Sequence, residues 1–128
     1  MRGERINLNY RIVNKENLKY IKIQSGARAI RSEQDALELV ALCGENETSF
    51  LVLHHEALSD DFFKLKTGIA GAMLQKLVNY RVKTAIIIED TSEFGIRFNE
   101  FAAEANRGSQ YRVFNDVGKA EDWFREGT

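Results

Sequence analysis

The run HHEALSDDFFKLKTGIAGAMLQKL, residues 54–77, opens with two histidines and an acid, His54, His55 and Glu56. An imidazole beside a carboxylate can carry a proton near neutral pH, because the partner shifts and orients a group that already titrates there. Paired histidines can also hold zinc, but zinc sites take three or four converging ligands. The chain has only two histidines and one cysteine, Cys43, and neighbours on a strand point to opposite faces. A metal site is therefore not expected, and an internal disulfide is impossible. Gly68-x-x-Gly71 has neither the GxGxxG nor the GxxxxGK[ST] spacing, so no nucleotide cofactor is expected. No G-x-S-x-G elbow stands out for nucleophilic catalysis. The catalytic reading is acid–base work by His55, with Glu56 or Glu89 as its orienting carboxylate. Such a site would lie at the carboxyl ends of parallel strands, where open α/β sheets hold ligands.

The same run places Thr67 directly before Gly68, at what reads as a helix start. A threonine there serves as an N-cap, its hydroxyl accepting an amide of the first turn. A phosphate at that position would meet free backbone amides and the positive end of the helix dipole. Lys66, Thr67 and Gly68 are thus the candidates for modification or partner contact. Lys64 and the scattered arginines have acidic neighbours and read as a solvated surface. Cys43, in the apolar run LVALC, reads as an inert packing residue. Phe62, Phe63, Phe94, Phe98 and Phe101 read as core, or as a partner surface if part of the stripe is exposed.

The elements that must position these residues follow from periodicity. INLNYRIV (6–13) and YIKIQS (20–25) alternate as half-buried strands do and are joined by the polar NKEN, which predicts a hairpin. Ser32 followed by Glu33 and Asp35 predicts a helix start, and Gly44 its stop. SFLVLH (49–54) and TAIIIE (84–89) are continuous apolar runs, the mark of strands covered on both faces. Ser59 can cap a short turn at SDDFF. Ile69, Met73, Leu77 and Tyr80 form a helical stripe, with Ala70, Leu74 and Val78 beside it. Ser92 repeats the capping pattern before a helix that buries Phe94, Phe98, Phe101 and Ala105. QYRVF (110–114) predicts a last strand, and Asp116 caps a helix with Val117, Ala120, Trp123 and Phe124. The order is β-β-α-β-α-β-α-β-α, a mixed sheet of about five strands with helices packed on it. Alternation of strands and helices requires parallel pairing and right-handed crossovers.

This order resembles the STAS domain of anti-sigma-factor antagonists and its SpoIIAA-like relatives. There a buried strand leads through a loop into a helix that opens with Asp-Ser-Ser-Gly-Leu-Gly. Here FLVLHH leads into Leu65-Lys66-Thr67-Gly68-Ile69-Ala70. Leu65 stands in the place of the family's aspartate and Lys66 in that of its first serine. In that family the serine before the glycine is phosphorylated and switches partner binding. The resemblance carries that role to Thr67. More closely, FFKLKTGIAGAMLQKLVNYRVKTAII looks like a small bacterial family of standalone domains of unknown function. That likeness supports the fold and implies no activity.

Composition narrows the classes. The 128 residues suit one STAS-like domain, 1–128, with a real core. Net charge is −1, from 18 basic and 19 acidic residues, a balance that favours neither nucleic acid nor an anionic membrane as partner. The start MRGERINLNYRIV lacks the apolar core of a secretory signal, so cytoplasmic residence is expected. The first functional expectation is a non-enzymatic protein-interaction or regulatory module using residues 56–71. The alternative is a small-ligand binder or acid/base enzyme at the carboxyl-end crevice around His55. An uncovered sheet edge would favour a homo-oligomer.

Overall fold

The computed structural model describes residues 8–26 and 29–126. Five strands form one sheet in the order of the chain: β1 (Leu8–Lys15), β2 (Leu18–Gly26), β3 (Phe50–His54), β4 (Lys83–Ile87) and β5 (Tyr111–Phe114). β1 pairs antiparallel with β2, and every later pair is parallel. Between the strands run α1 (Glu33–Glu45), the single turn α2 (Asp60–Phe63), α3 (Ile69–Asn79) and α4 (Gly95–Ala105), and α5 (Val117–Glu126) closes the chain. The mixed α/β architecture and its element order are those the periodicity predicts.

Alternation along the strands assigns each helix to a face. In β3, Leu51 and Leu53 join the buried cluster that includes Leu39 of α1, Met73 and Leu77 of α3, and Phe98 of α4. Val52 faces the other way and packs with Ala120, Trp123 and Phe124 of α5. Right-handed crossovers that always advance in one direction put α1, α3 and α4 on the same face, which leaves the opposite face to α5 alone. Both faces of the central strands are thereby buried, which is why their sequences are continuously apolar.

Several boundaries differ from the sequence reading, each for a local reason. Residues 6 and 7 of the predicted first strand lie outside the described residues. The hairpin turn is only Glu16–Asn17, both at positive φ (49° and 65°), the type I′ geometry whose twist matches that of the strands. α1 continues through Gly44, and the left-handed residue after it is Glu47. Tyr80 is not on the buried stripe: it follows the last turn of α3 and is 57% exposed. The helix after β4 is capped in two stages. Asp90, not Ser92, caps a 3-10 turn by accepting the Ser92 amide at 3.0 Å and hydroxyl at 2.6 Å. Gly95, at φ 86°, then redirects the chain into α4, a conformation open to glycine at little cost.

Candidate functional site

β3 ends between the two histidines. His54 is its last residue, and His55 begins a 3-10 turn through Ala57. The segment after it is held by a second short pairing: the Ile30 amide donates to Ala57 O at 2.8 Å and the Ser59 amide to Ile30 O at 2.9 Å. Ser59 sits at the N-cap of α2, but its hydroxyl makes no capping hydrogen bond. The turn is fixed by backbone bonds and by Phe62 and Phe63, which are buried.

His55 lies over the aromatic row, edge-on to Phe94 at 5.7 Å between ring centres. Its Nε2 is 3.5 Å from Glu56 Oε1, and its side chain is 28% exposed. Glu56 therefore stands where a partner carboxylate is expected, although it is itself exposed. Glu89 forms no ion pair with His55 among the described residues, although its charge acts on His54. It lines a 370 Å³ crevice at the carboxyl ends of β4 and β5 with Asp90, Thr91, Asn99, Asn106 and Asn115, and none of His55, Glu56 or Thr67 lines that crevice. Ligand crevices in open α/β sheets form where the strand order reverses and successive crossovers diverge; here the order never reverses. Among the described residues, no group of three His, Cys, Asp or Glu side chains converges as metal ligands would.

The histidine with the more unusual surroundings is His54. Its parity with Val52 sets it on the α5 face, and its Nε2 is buried with no hydrogen-bond partner. Burial first, and the Lys22 charge second, hold its imidazole below the ordinary histidine range, against the opposing pull of Glu56 and Glu89. Only the register reveals this, because in the sequence the two histidines are equivalent neighbours.

Thr67 closes a second turn. It ends a 3-10 turn that begins at Leu65, and Gly68 follows at φ 77° as the N-cap residue of α3. The Thr67 hydroxyl lies 2.8 Å from both Asp61 O and Lys64 O, and it accepts the Ile69 amide at 3.2 Å. With one proton to give, it donates to one of those carbonyls while its lone pair serves the start of α3. Thr67 is therefore the residue before the N-cap rather than the N-cap itself: its oxygen serves the first amide of α3, and its hydroxyl ties the end of α2 to the start of α3. Lys64, Lys66, Thr67 and Gly68 are all exposed.

A model of one family matches residues 15–124 of the chain: Domain of unknown function (DUF4180). The chain belongs to this family. No curated protein and no solved structure matches it. The matched span begins at Lys15, the last residue of β1, and ends in the last turn of α5, so it takes in β2 to β5, α1 to α4 and the Thr67 turn.

Two features within that span escape sequence reading. Glu121 of α5 is buried and accepts the Tyr20 hydroxyl at 2.6 Å, with Lys15 Nζ 3.0 Å from its other oxygen. Burial alone would raise this carboxyl, but the two donors hold it below the usual carboxylate range. The same burial and the Glu121 contact push Tyr20 well above the ordinary tyrosine range. The second feature is Trp123, which packs against two cations, with Lys83 Nζ 4.5 Å and Arg112 Cζ 5.3 Å from the ring centre. Cys43 is buried as expected, and burial pushes its thiol up to about 12, so it is neither a nucleophile nor a ready metal ligand.

Proposed function

We propose that the domain is a non-enzymatic interaction or regulatory module that presents residues 56–71 and is governed at Thr67. The observation that carries this reading is the Thr67 hydroxyl, exposed to solvent yet central to the turn between α2 and α3. Phosphorylation would remove the proton it donates and set roughly two negative charges against the Asp61 and Lys64 carbonyls. Asp60 and Asp61 are exposed nearby and would repel the phosphate, while Lys64 and Lys66 could pair with it once the turn rearranges. The consequence is an opened turn and a changed surface over Phe62 and Phe63. The STAS-like resemblance at this junction points the same way. Among the described residues the carboxylate paired with His55 is the exposed Glu56, which favours this reading over acid–base catalysis.

The test is mass spectrometry of the protein isolated from its cells, joined to partner binding by Thr67→Glu and Thr67→Val. A phosphate on Thr67 and a partner lost with Thr67→Glu but kept with Thr67→Val are expected. Absence of both ends the proposal. A second reading, small-ligand binding at the carboxyl edge, is favoured by the crevice at Glu89. Self-association is supported by the edge strand β1, whose Tyr10 and Ile12 are 44% and 46% exposed.

A further inference from the structure

The opposite edge of the sheet, where the parallel strands begin, concentrates positive charge. Here a cavity of 230 Å³ is lined by Arg81, Lys83, Ser109 and Gln110, with Val78 and Val82 as its apolar wall. The lining has two cations, a hydroxyl and an amide, and no acidic side chain. Arg112 lies beside it, two residues beyond Gln110 on the neighbouring strand, with its Nε donating to Gly108 O at 2.7 Å. Lys83 and Arg112 both rest against Trp123, which restricts both side chains.

Like charges brought this close normally acquire a carboxylate between them. Among the described residues, none of Arg81, Lys83 and Arg112 forms an ion pair. Glu126 acts on Lys83 from a distance without reaching it. Lys83 and Arg112 are held close because both rest on the Trp123 ring, and the Arg112 charge, after burial, helps to hold Lys83 below the usual lysine value. An anion bridging the cations would relieve the repulsion between them. Size selects among anions: the cavity is smaller than the roughly 300–1,000 Å³ typical of pockets for drug-sized ligands, so it suits a single tetrahedral oxyanion rather than a whole nucleotide.

We propose that Arg81, Lys83, Ser109 and Gln110, with Arg112 behind them, form a binding site for a phosphate group, either the free anion or the end of a small phosphate monoester. The cations supply charge-assisted hydrogen bonds, and the hydroxyl and amide complete the tetrahedral shell. The site is at the far edge of the sheet from Thr67 and is independent of its role.

Trp123 is the single tryptophan of the chain, so its fluorescence reports on the site directly. Titration of the full chain with inorganic phosphate is expected to give a saturable change that sodium chloride at equal ionic strength does not reproduce. Glycerol phosphate, run in parallel, separates the sources: binding as tight as that of phosphate shows that a monoester is accepted, and phosphate binding alone shows a site for the free anion. Loss of one charged donor weakens binding roughly tenfold or more. This is the result expected for Lys83→Met and for Arg81→Gln, the latter a change of an exposed side chain in a turn. Glu126→Gln is expected to tighten binding. A response that follows ionic strength alone, or one unchanged in both cation variants by fluorescence and by thermal shift, overturns the proposal.

Discussion

The face of the sheet under α1, α3 and α4 and the face under α5 are closed by different means. The first has a large apolar core with a continuous row of rings, in which Phe63 stacks on Phe94 at 4.1 Å and Phe98 meets both Phe63 and Phe101 edge-on or tilted. The second has one ten-residue helix, and its apolar cluster is small. It adds a carboxylate, Glu121, joined to Tyr20 and Lys15 far away in the chain, and an indole shared by two cations, whereas the buried Asp35 of α1 accepts an amide only four residues off. A single helix cannot bury enough apolar surface to set its own position on a sheet, and directional polar contacts supply the register. The price of that solution is sensitivity to pH and to charge.

Substitutions on each face test this contrast. The largest effect is expected on the first face: Phe98→Ala empties the centre of the ring row and should cost about 3–5 kcal/mol in urea unfolding. A loss below 1 kcal/mol would mean that the row is not a packed core. Glu121→Ala strands the buried Tyr20 hydroxyl and should cost about 1–3 kcal/mol. Combined with Tyr20→Phe it should be strongly non-additive in a double-mutant cycle; simple additivity would show that the lock between α5 and the hairpin does not exist.

The pH dependence follows from the same residues. The folded-state value of Glu121 is lowered, so its contribution is present above the unfolded value of about 4.3 and lost as pH falls below it. Glu121→Gln should flatten the acid limb of the stability curve. His54 is also lowered, but it is a base: the unfolded chain binds its proton more readily. Stability is therefore full above roughly pH 6.5 and declines below it until the folded imidazole also protonates. His54→Leu should remove that shallow decline, and an unchanged profile would contradict the burial of its Nε2.

Smaller effects are expected outside both cores. Thr67→Val should cost about 1 kcal/mol and raise amide exchange in residues 59–69 while leaving α5 unchanged. An equal rise at α5 would mean that the two faces are coupled through the turn. Ile96→Ser, at a position 79% exposed, should fall within about 0.5 kcal/mol; a changed oligomeric state instead would make that residue part of an interface.

How much of this was legible depends on the range of the interaction. Strand and helix types were readable because periodicity is local, and Ser32, which accepts the Asp35 amide at 3.2 Å, and Asp116, which accepts the Lys119 amide at 2.9 Å, were readable as caps because capping spans one turn. The ring row was legible as well, since Phe94, Phe98 and Phe101 share a helical spacing. Ser92 failed as a cap because Asp90, two residues earlier, caps the turn and takes both the amide and the hydroxyl of Ser92. Tyr80 failed because periodicity does not announce where a helix stops. Of the candidate site, Thr67 and the His55–Glu56 pair were legible because they are neighbours in the chain, while the crevice that Glu89 lines is assembled by strand order and register.

The sequence by itself determined the order of elements, the double burial of the central strands and the small set of polar residues that could do chemistry, because each of these is written in spacings of a few residues. The fold alone sets which histidine has its Nε2 buried, which residues line the crevice at Glu89, that Glu121 bonds a tyrosine 101 positions away, and that Lys83 and Arg112 meet on one indole. Those contacts are set by strand order and register. Residues distant in the chain become neighbours through that geometry, and their local surroundings carry no trace of it.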